Sequence, residues 1–499
     1  MLFRSTTTTA LFAGLLACLW SPLLAEPIDI QDRRELFVDE HLIDSIDGAE
    51  LFLHEPRDEG IVLEFNQPWE GLFCGYATII HDSDKYRLYY RGVPVAGSDG
   101  NTNEVTCYAE SDDGIQWSRP NLDQFDVRGS TENNVILANA APVTHNFSPF
   151  LDTNPEADPK HRFKAIGGTS KTGLIAYVSE DGIHWEKLRD EAIIMDKGWV
   201  FDSQNVAFWS AHEQCYVAYY RRSSQGVRAI ARVTSKDFVN WEPAVQMTYS
   251  NTSSGTPSQQ LYTNQTHPYF RAPHIYLATA ARFMPGRKVI TPEQAEEIGV
   301  HPKYFNDTAD AILMTSRGGE SYDCTFDQGW LRPGIGLGNW VSRTNYPVLN
   351  VVQTGPEEMS LYVNQDYGQP SSNIHRYSLR LDGFASLRAR GEVGTAVSKP
   401  ITFSGEQLTI NFATSAAGSV RVEIQDEDGS PIPGYEMKNA EEIIGNSVER
   451  VVTWKDKGSN LSQLAGKPVR LKWMVDDADL FSFQFTSPKK PEDLATGEE

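Results

Sequence analysis

Short apolar runs of about five to eight residues, broken at close intervals by polar clusters, dominate the chain and set the period of its elements. The runs "YATIIHD", "KYRLYYRG" and "EVTCYAES" are rich in Tyr, Val, Ile and Thr, and Asp, Ser, Asn and Gly punctuate them. Branched and aromatic side chains suit a pleated surface and the punctuation suits tight turns, so these segments predict antiparallel strands. One helix start stands out: Thr291-Pro292-Glu293 opens "TPEQAEEI", with a capping hydroxyl, Pro at the first helical position and acids in the first turn. A short helix is expected there, either at the rim of a cleft or as decoration.

The strand pattern repeats. The string Ser111-Asp112-Asp113-Gly114-Ile115-Gln116-Trp117 returns from Ser179 to Trp185 as "SEDGIHW" and from Ser235 to Trp241 as "SKDFVNW". Decayed copies begin at Ser316 ("SRGGESYD") and Ser378 ("SLRLDGFASL"), giving five copies at intervals of about 56 to 81 residues. Three strands before each string and one after it make a four-stranded blade, with Asp and Gly shaping the outer turn and Trp packing between blades. Asp181 is therefore read as a turn residue. From Gly391 the pattern shifts to long alternation ("PITFSGEQLTINFATS", "GKPVRLKWMVDDADLFSFQF") over about a hundred residues, as expected of a β-sandwich. The fold class is all-β: a five-bladed β-propeller over 26–390, a C-terminal β-sandwich over 391–486, and a polar, disordered tail over 487–499.

The N-terminus departs from this pattern. Arg4 precedes an apolar run from Ala10 to Trp20, and "SPLLAEP" offers cleavage after Ala25, so residues 1–25 read as a secretory signal peptide. "LLAC" at Cys18 leaves a lipoprotein signal as the rival reading. No later apolar run approaches the roughly 20 residues of a membrane span, so a soluble, secreted or periplasmic chain is expected. A chain of 499 residues with a formal net charge of -23 lacks the clustered Lys and Arg that nucleic acids require. Cys74, Cys107, Cys215 and Cys324 lack metal spacing and are read as buried thiols, with pairing left open.

Five blades of this kind, the "SxDGxxW" punctuation, a signal peptide and a following sandwich resemble the five-bladed propeller glycoside hydrolases: the invertase and levanase-like, arabinanase and xylosidase-like families. The likeness spans most of residues 30 to 486. The invertase-type "NDPNG" and a clear "RDP" are absent. "PWEG", "FDSQN" and "RYSLRLDGF" are also similar to phrases in exported, uncharacterised propeller proteins of polysaccharide-degrading bacteria. The resemblance implies a carbohydrate substrate and carboxylate chemistry.

Glycosidic cleavage needs one carboxylic acid to protonate the leaving oxygen and one carboxylate as base or nucleophile, roughly 5 to 9.5 Å apart. In a propeller the innermost strands converge at the channel mouth, so the candidates are acids that begin those strands. Glu70 in "PWEGLFCGYATII", Asp202 in "WVFDSQNVAFW" and Glu358 in "QTGPEEMSLYV" are the expected catalytic set, with Glu357 facing the other way. Trp69, His145, Asn146, Asp152, Gln204, His267, Arg271 and His274 are expected to bind substrate, joined by the aromatics Tyr269 and Trp340. His145, His267 and His274 raise a metal alternative that no HxH or HExxH spacing supports, and the reading is of no catalytic metal, with a structural Ca2+ in the channel left open.

The functional expectation is a secreted glycoside hydrolase; the alternative is a non-catalytic carbohydrate-binding propeller. A sialidase would need an arginine triad and a formylglycine sulfatase a CxPxR motif, and neither is visible in the string.

Overall fold

The computed structural model describes residues 26–93, 99–253 and 256–488. The proposed signal peptide and most of the expected tail lie outside them. In four of the five blades each strand pairs antiparallel with the next in sequence, because the polar turns between runs are too short for a crossover. Blade one comprises Gly75–Asp82, Lys85–Gly92, Val105–Ser111 and Val135–Leu137; blade two Ser148–Leu151, Phe163–Thr169, Gly173–Ser179 and Glu186–Lys187. Blade three comprises Val206–Ser210, Cys215–Ser224, Val227–Ser235 and Val245–Gln246. Blade four contains Gln260–Tyr269, Ala272–Met284 and Thr308–Ser316. Blade five is built differently: the short inner segments Tyr346–Pro347 and Val352–Gln353 both pair with Glu358–Gln365, then comes Asn373–Arg380, and the outermost strand is Arg57–Glu64 from the start of the chain. That antiparallel pairing of first and last propeller segments closes the ring and leaves no open edge between blades.

The five repeat strings sit where third strands end, and each clasps the blade before it. In the second copy Gly182 N donates to Ser179 Oγ (2.9 Å), and Ile183 N and His184 N both donate to Asp181 Oδ1 (2.8 Å). Arg87 of blade one donates to the Asp181 carbonyl (3.0 Å), and Trp185 meets Tyr89 and Phe147 edge-on at 6.3 and 5.0 Å. In the decayed fifth copy Asp382 accepts from Tyr269 of blade four (2.8 Å).

A second sheet assembly forms around Trp454, Trp473 and Phe483. Its long strands Gln407–Gln425 and Arg470–Thr486 pair with each other, and Arg470–Thr486 also pairs with Ala385–Ala389 and Gly394–Ser398. N-terminal strands belong here as well: Ile43–Asp47 pairs with Gly394–Ser398, Glu50–Leu53 with Ala385–Ala389, and Ile28–Gln31 runs parallel to Ile401–Phe403. A boundary at 390 with everything before it in the propeller is thus corrected by pairing: segments near residues 28–53 and 385–389 complete the second sheet, and the chain enters the propeller only at Arg57. The expected helix forms over Pro292–Glu297 with a reciprocal capping box between Thr291 and Gln294. Cys74, Cys107, Cys215 and Cys324 are buried free thiols. Among the described residues no helix is long and apolar enough to cross a membrane.

Candidate functional site

A layer of amides divides the central channel. Gln204 Nε2 donates to Thr78 Oγ1 (2.9 Å) and Ser148 Oγ (3.3 Å), while Gln265 Nε2 donates to Gln204 Oε1 (2.7 Å) and the Pro347 carbonyl (3.0 Å). These groups are fully buried, so their bonds fix the innermost strands to one another across the axis. Beyond this layer, where the innermost strands end, lies an apolar basin of about 900 Å³ lined by Ile79, Phe150, Phe208, His267 and Val351. On the other side, where those strands begin, is a polar mouth.

Gly75, Tyr76, Arg91, Asp99, His145, Tyr262, Arg343, Tyr346 and Tyr367 line that mouth. Besides the loop between Lys85–Gly92 and Val105–Ser111, which carries Asp99, two kinds of strand position bring polar groups there. Some side chains precede or open innermost strands: Tyr76, His145, Asp202, Tyr262 and Tyr346. Others lie at the ends of second strands, which run antiparallel and so return to the same face; Arg91 and Arg221 are of this kind. A second cavity of about 210 Å³ adjoins it, lined by Arg91, Asp99, Glu104, His301, Lys303 and Tyr304. The helix-bearing insertion therefore stands at the rim: its Tyr304 packs on Tyr367 and accepts from Arg343 Nη1 (3.1 Å).

Within the mouth, Asp99, His145 and Asp202 each bring a carboxylate oxygen or ring nitrogen within 4.8 Å of one another. His145 Nδ1 lies 3.1 Å from Glu104 Oε2 and 3.2 Å from Arg91 Nη1. Arg91 has the His145 carbonyl as a further acceptor (3.4 Å), so the proton on Nδ1 is assigned to the Glu104 bond. The other ring nitrogen, Nε2, is buried with no partner among the described residues, as are Tyr346 Oη and Arg91 Nε. Arg221 donates to Asp202 and fixes its carboxylate. The backbone is strained here as well: Tyr76, Phe201, Arg343 and Asn345 have φ between 49° and 62°, a left-handed region costing non-glycine residues about 1–3 kcal/mol each.

The residues singled out from sequence are dispersed. Asp202 and His145 are at the mouth, and Asn146 is directly behind it, donating to the carbonyls of Gly168, Phe201 and Ser203 (2.8–2.9 Å). Gln204 belongs to the channel layer. Glu70 is enclosed: Tyr90 Oη (2.6 Å), Arg119 Nε (2.8 Å) and Gln67 N (2.9 Å) occupy its oxygens, and it is 0% exposed. Its neighbour Trp69 donates to Asn134 (2.7 Å). Glu358 opens the second strand of blade five, not the first, which puts it at the opposite end of the blade, paired with Arg376 (2.8 Å). The expected convergence of Glu70, Asp202 and Glu358 is therefore not found.

The blade-four candidates lie at the other end of their strand. Its innermost strand begins at Gln260, so His267 is near that strand's far end, with Nδ1 on the Gln265 carbonyl (2.7 Å) and Nε2 accepting from Val351 N (3.2 Å). Burial lowers its pKa to about 4, keeping it neutral. Arg271 pairs with Asp382 (3.3 Å) and Glu449 (3.6 Å), and His274 with Glu35 (3.0 Å), so both connect the propeller to the second sheet. Asp152 accepts from Lys164 and from Tyr216 Oη (2.7 Å) between blades two and three. Tyr269 donates to Asp382, and Trp340 donates to the Gly334 carbonyl (3.0 Å). The three histidines do not meet across the channel.

No family model matches the chain, and no curated protein matches it. Among solved structures it is similar to a glycoside hydrolase family 43 arabinoxylan arabinofuranohydrolase from Bacillus subtilis (TM-score 0.41, 11% identity, covering 86% of this chain and 99% of that one). It is similar also to an N-acetylgalactosamine deacetylase from F. plautii (0.43, 11%, 66% and 95%) and to a fructofuranosidase from Schwanniomyces occidentalis (0.34, 11%, 92% and 99%). The five blades rest on the strand pairings above, and the chemistry on the side chains at the mouth.

Proposed function

We propose that the protein is an exported glycoside hydrolase whose Asp99 and Asp202 act on either side of a glycosidic bond at the propeller mouth. The observation that carries this reading is the approach of these two carboxylates, with the His145 ring, to within 4.8 Å. Retaining enzymes hold their two carboxyl groups about 5–5.5 Å apart, and the oxygens of this pair, within 4.8 Å of each other, are on the short side of that spacing. Asp202, oriented by Arg221, attacks the anomeric carbon; Asp99, on the open side, gives its proton to the departing oxygen, and then takes one from the water that releases the sugar. The tyrosine walls give apolar faces and hydroxyls to a sugar ring. The mouth itself encloses only about 20 Å³, so the sugar is met where it opens into the adjoining cavity of about 210 Å³, and the amide layer stops it from threading the channel.

A panel of poly- and oligosaccharides with reducing-sugar readout tests this. Asp202→Asn and Asp99→Asn are each expected to lower turnover about 10²–10⁴-fold without loss of glycan binding, whereas Glu358→Gln retains turnover. Full turnover in Asp202→Asn would overturn the assignment. Glycan binding with no release across the panel would favour a carbohydrate-binding protein. One imidazole and two carboxylates are also a donor set for a divalent cation. Activity removed by chelation and restored by metal would recast Asp99, His145 and Asp202 as ligands.

A further inference from the structure

On a chain of net charge -23, four guanidinium groups gather at the mouth against three carboxylates, Asp99, Glu104 and Asp202. The ring of Tyr262 is approached by three guanidinium carbons: Arg221 at 4.7 Å, Arg228 at 5.2 Å and Arg343 at 5.5 Å. A fourth, Arg91, lies 4.5 Å from the Tyr76 ring. Asp202 is the carboxylate bonded to this set, through Arg221. Arg228 donates to the Gln260 amide oxygen, and Arg343 to the Tyr304 hydroxyl, both neutral acceptors. Arg91 is bonded to Tyr367 Oη (3.3 Å) and the Phe73 carbonyl (3.0 Å) through Nη2 and to the His145 carbonyl (3.4 Å) through Nη1, with Asp99 and Glu104 near it but outside ion-pair distance among the described residues.

Guanidinium groups gathered around one ring repel each other, and where water is scarce the repulsion is felt more strongly. Burial, and next the charge of Arg221, push Arg228 below its ordinary pKa. Cation–π contacts of about 0.5–2 kcal/mol each hold such a group in place but do not neutralise it. Arg91 Nε and Tyr346 Oη, both within the lining and more than nine-tenths buried, are donors without a partner among the described residues. Charge and unfilled donors together describe a site shaped for an oxyanion.

We infer that the sugar unit bound at the mouth carries a carboxylate or sulfate, gripped by the Arg343 fork, met by the free Nε of Arg91 and drawn in by the field of Arg221 and Arg228. The planar fork of Arg343 matches either anion bidentately, which a neutral hydroxyl cannot exploit. This rests on the mouth being the carbohydrate site proposed above, but not on its cutting anything.

The test is binding, by calorimetry on the full chain. The probes are tri-galacturonate against its methyl ester, and galactotriose bearing a 6-sulfate against plain galactotriose. At least one charged form is expected to bind about tenfold or more tightly than its uncharged twin, and which pair shows the gap identifies the anion. Arg343→Gln is expected to erase the gap and Arg343→Lys to keep part of it, with circular dichroism confirming that both variants are folded. The gap should also narrow as salt is raised. Equal affinity within both pairs, no binding of either charged form, or a gap that survives Arg343→Gln would overturn the inference. Charged-sugar binding without cleavage would instead refute the hydrolase reading alone.

Discussion

Gly182 adopts φ +75°, and a Cβ there would lie 2.6 Å from the Tyr89 hydroxyl of the preceding blade. Gly114 has the same form, meeting Tyr362 and Thr354. The third copy differs: Phe238 holds φ +67° with a Cβ. Its ring lies 5.5 Å from Phe150, 5.2 Å from Tyr216 and 5.8 Å from Trp241. Burying such a ring stabilises by about 2–3 kcal/mol, more than the ~1–2 kcal/mol cost of the left-handed backbone. At Gly182 no such gain is available. Gly182→Ala is expected to lower unfolding free energy by at least about 1–2 kcal/mol, measured by urea denaturation. The string "SEDGIHW" thus belongs to blade docking, as its spacing implied, and Asp181 spends its oxygens on the turn.

At the scale of elements, antiparallel direction decides what reaches the mouth. The strings "YYRG" and "YYRR" lie in the last part of the second strands of blades one and three and place Arg91 and Arg221 in the same ring. That shared "YYR" was legible in the sequence, yet a search confined to the starts of innermost strands passes over it. Glu358 was misplaced for the related reason that blade five opens with two fragments too short to register as a strand. The helix-bearing insertion was legible from Thr291 onward, whereas its position at the rim depends on contacts such as His301 N to the Gly368 carbonyl (3.0 Å). Thr291→Ala removes the cap, a change of about 1 kcal/mol. Faster amide exchange over residues 292–304 is expected, together with a raised KM and little change in kcat, because Tyr304 orients Arg343.

For the whole molecule, an ionic seam joins the propeller to the second sheet. Arg317 donates to Glu35 (2.7 Å) and Asp39 (2.8 Å), His274 bonds Glu35 (3.0 Å), and Arg34 and Arg271 meet at Asp382 (3.3 Å each). Burial opposes the Glu35 charge, but Arg317 and His274 outweigh it and lower its pKa to about 2. The unfolded value is about 4.3, so this stabilisation is complete above the unfolded pKa and is lost as pH falls from there through the folded one. Glu35→Gln is expected to cost roughly 3 kcal/mol at neutral pH. It should also flatten the acid limb of stability between pH 5 and 2, followed by chemical denaturation at stepped pH.

By itself the sequence determined what is local and periodic: strands of period two, turns with Asp and Gly at fixed offsets, five units, and a capped helix. Each of these follows from a residue and its near neighbours. Tertiary structure alone decided that Arg57–Glu64 closes the ring, that strands near residues 28–53 belong with the C-terminal sheet, and that Glu70 meets Arg119 while Asp99 meets Asp202 and His145. Acids at strand starts look alike in a string; pairing over tens to hundreds of residues determines which of them is enclosed and which opens onto the mouth.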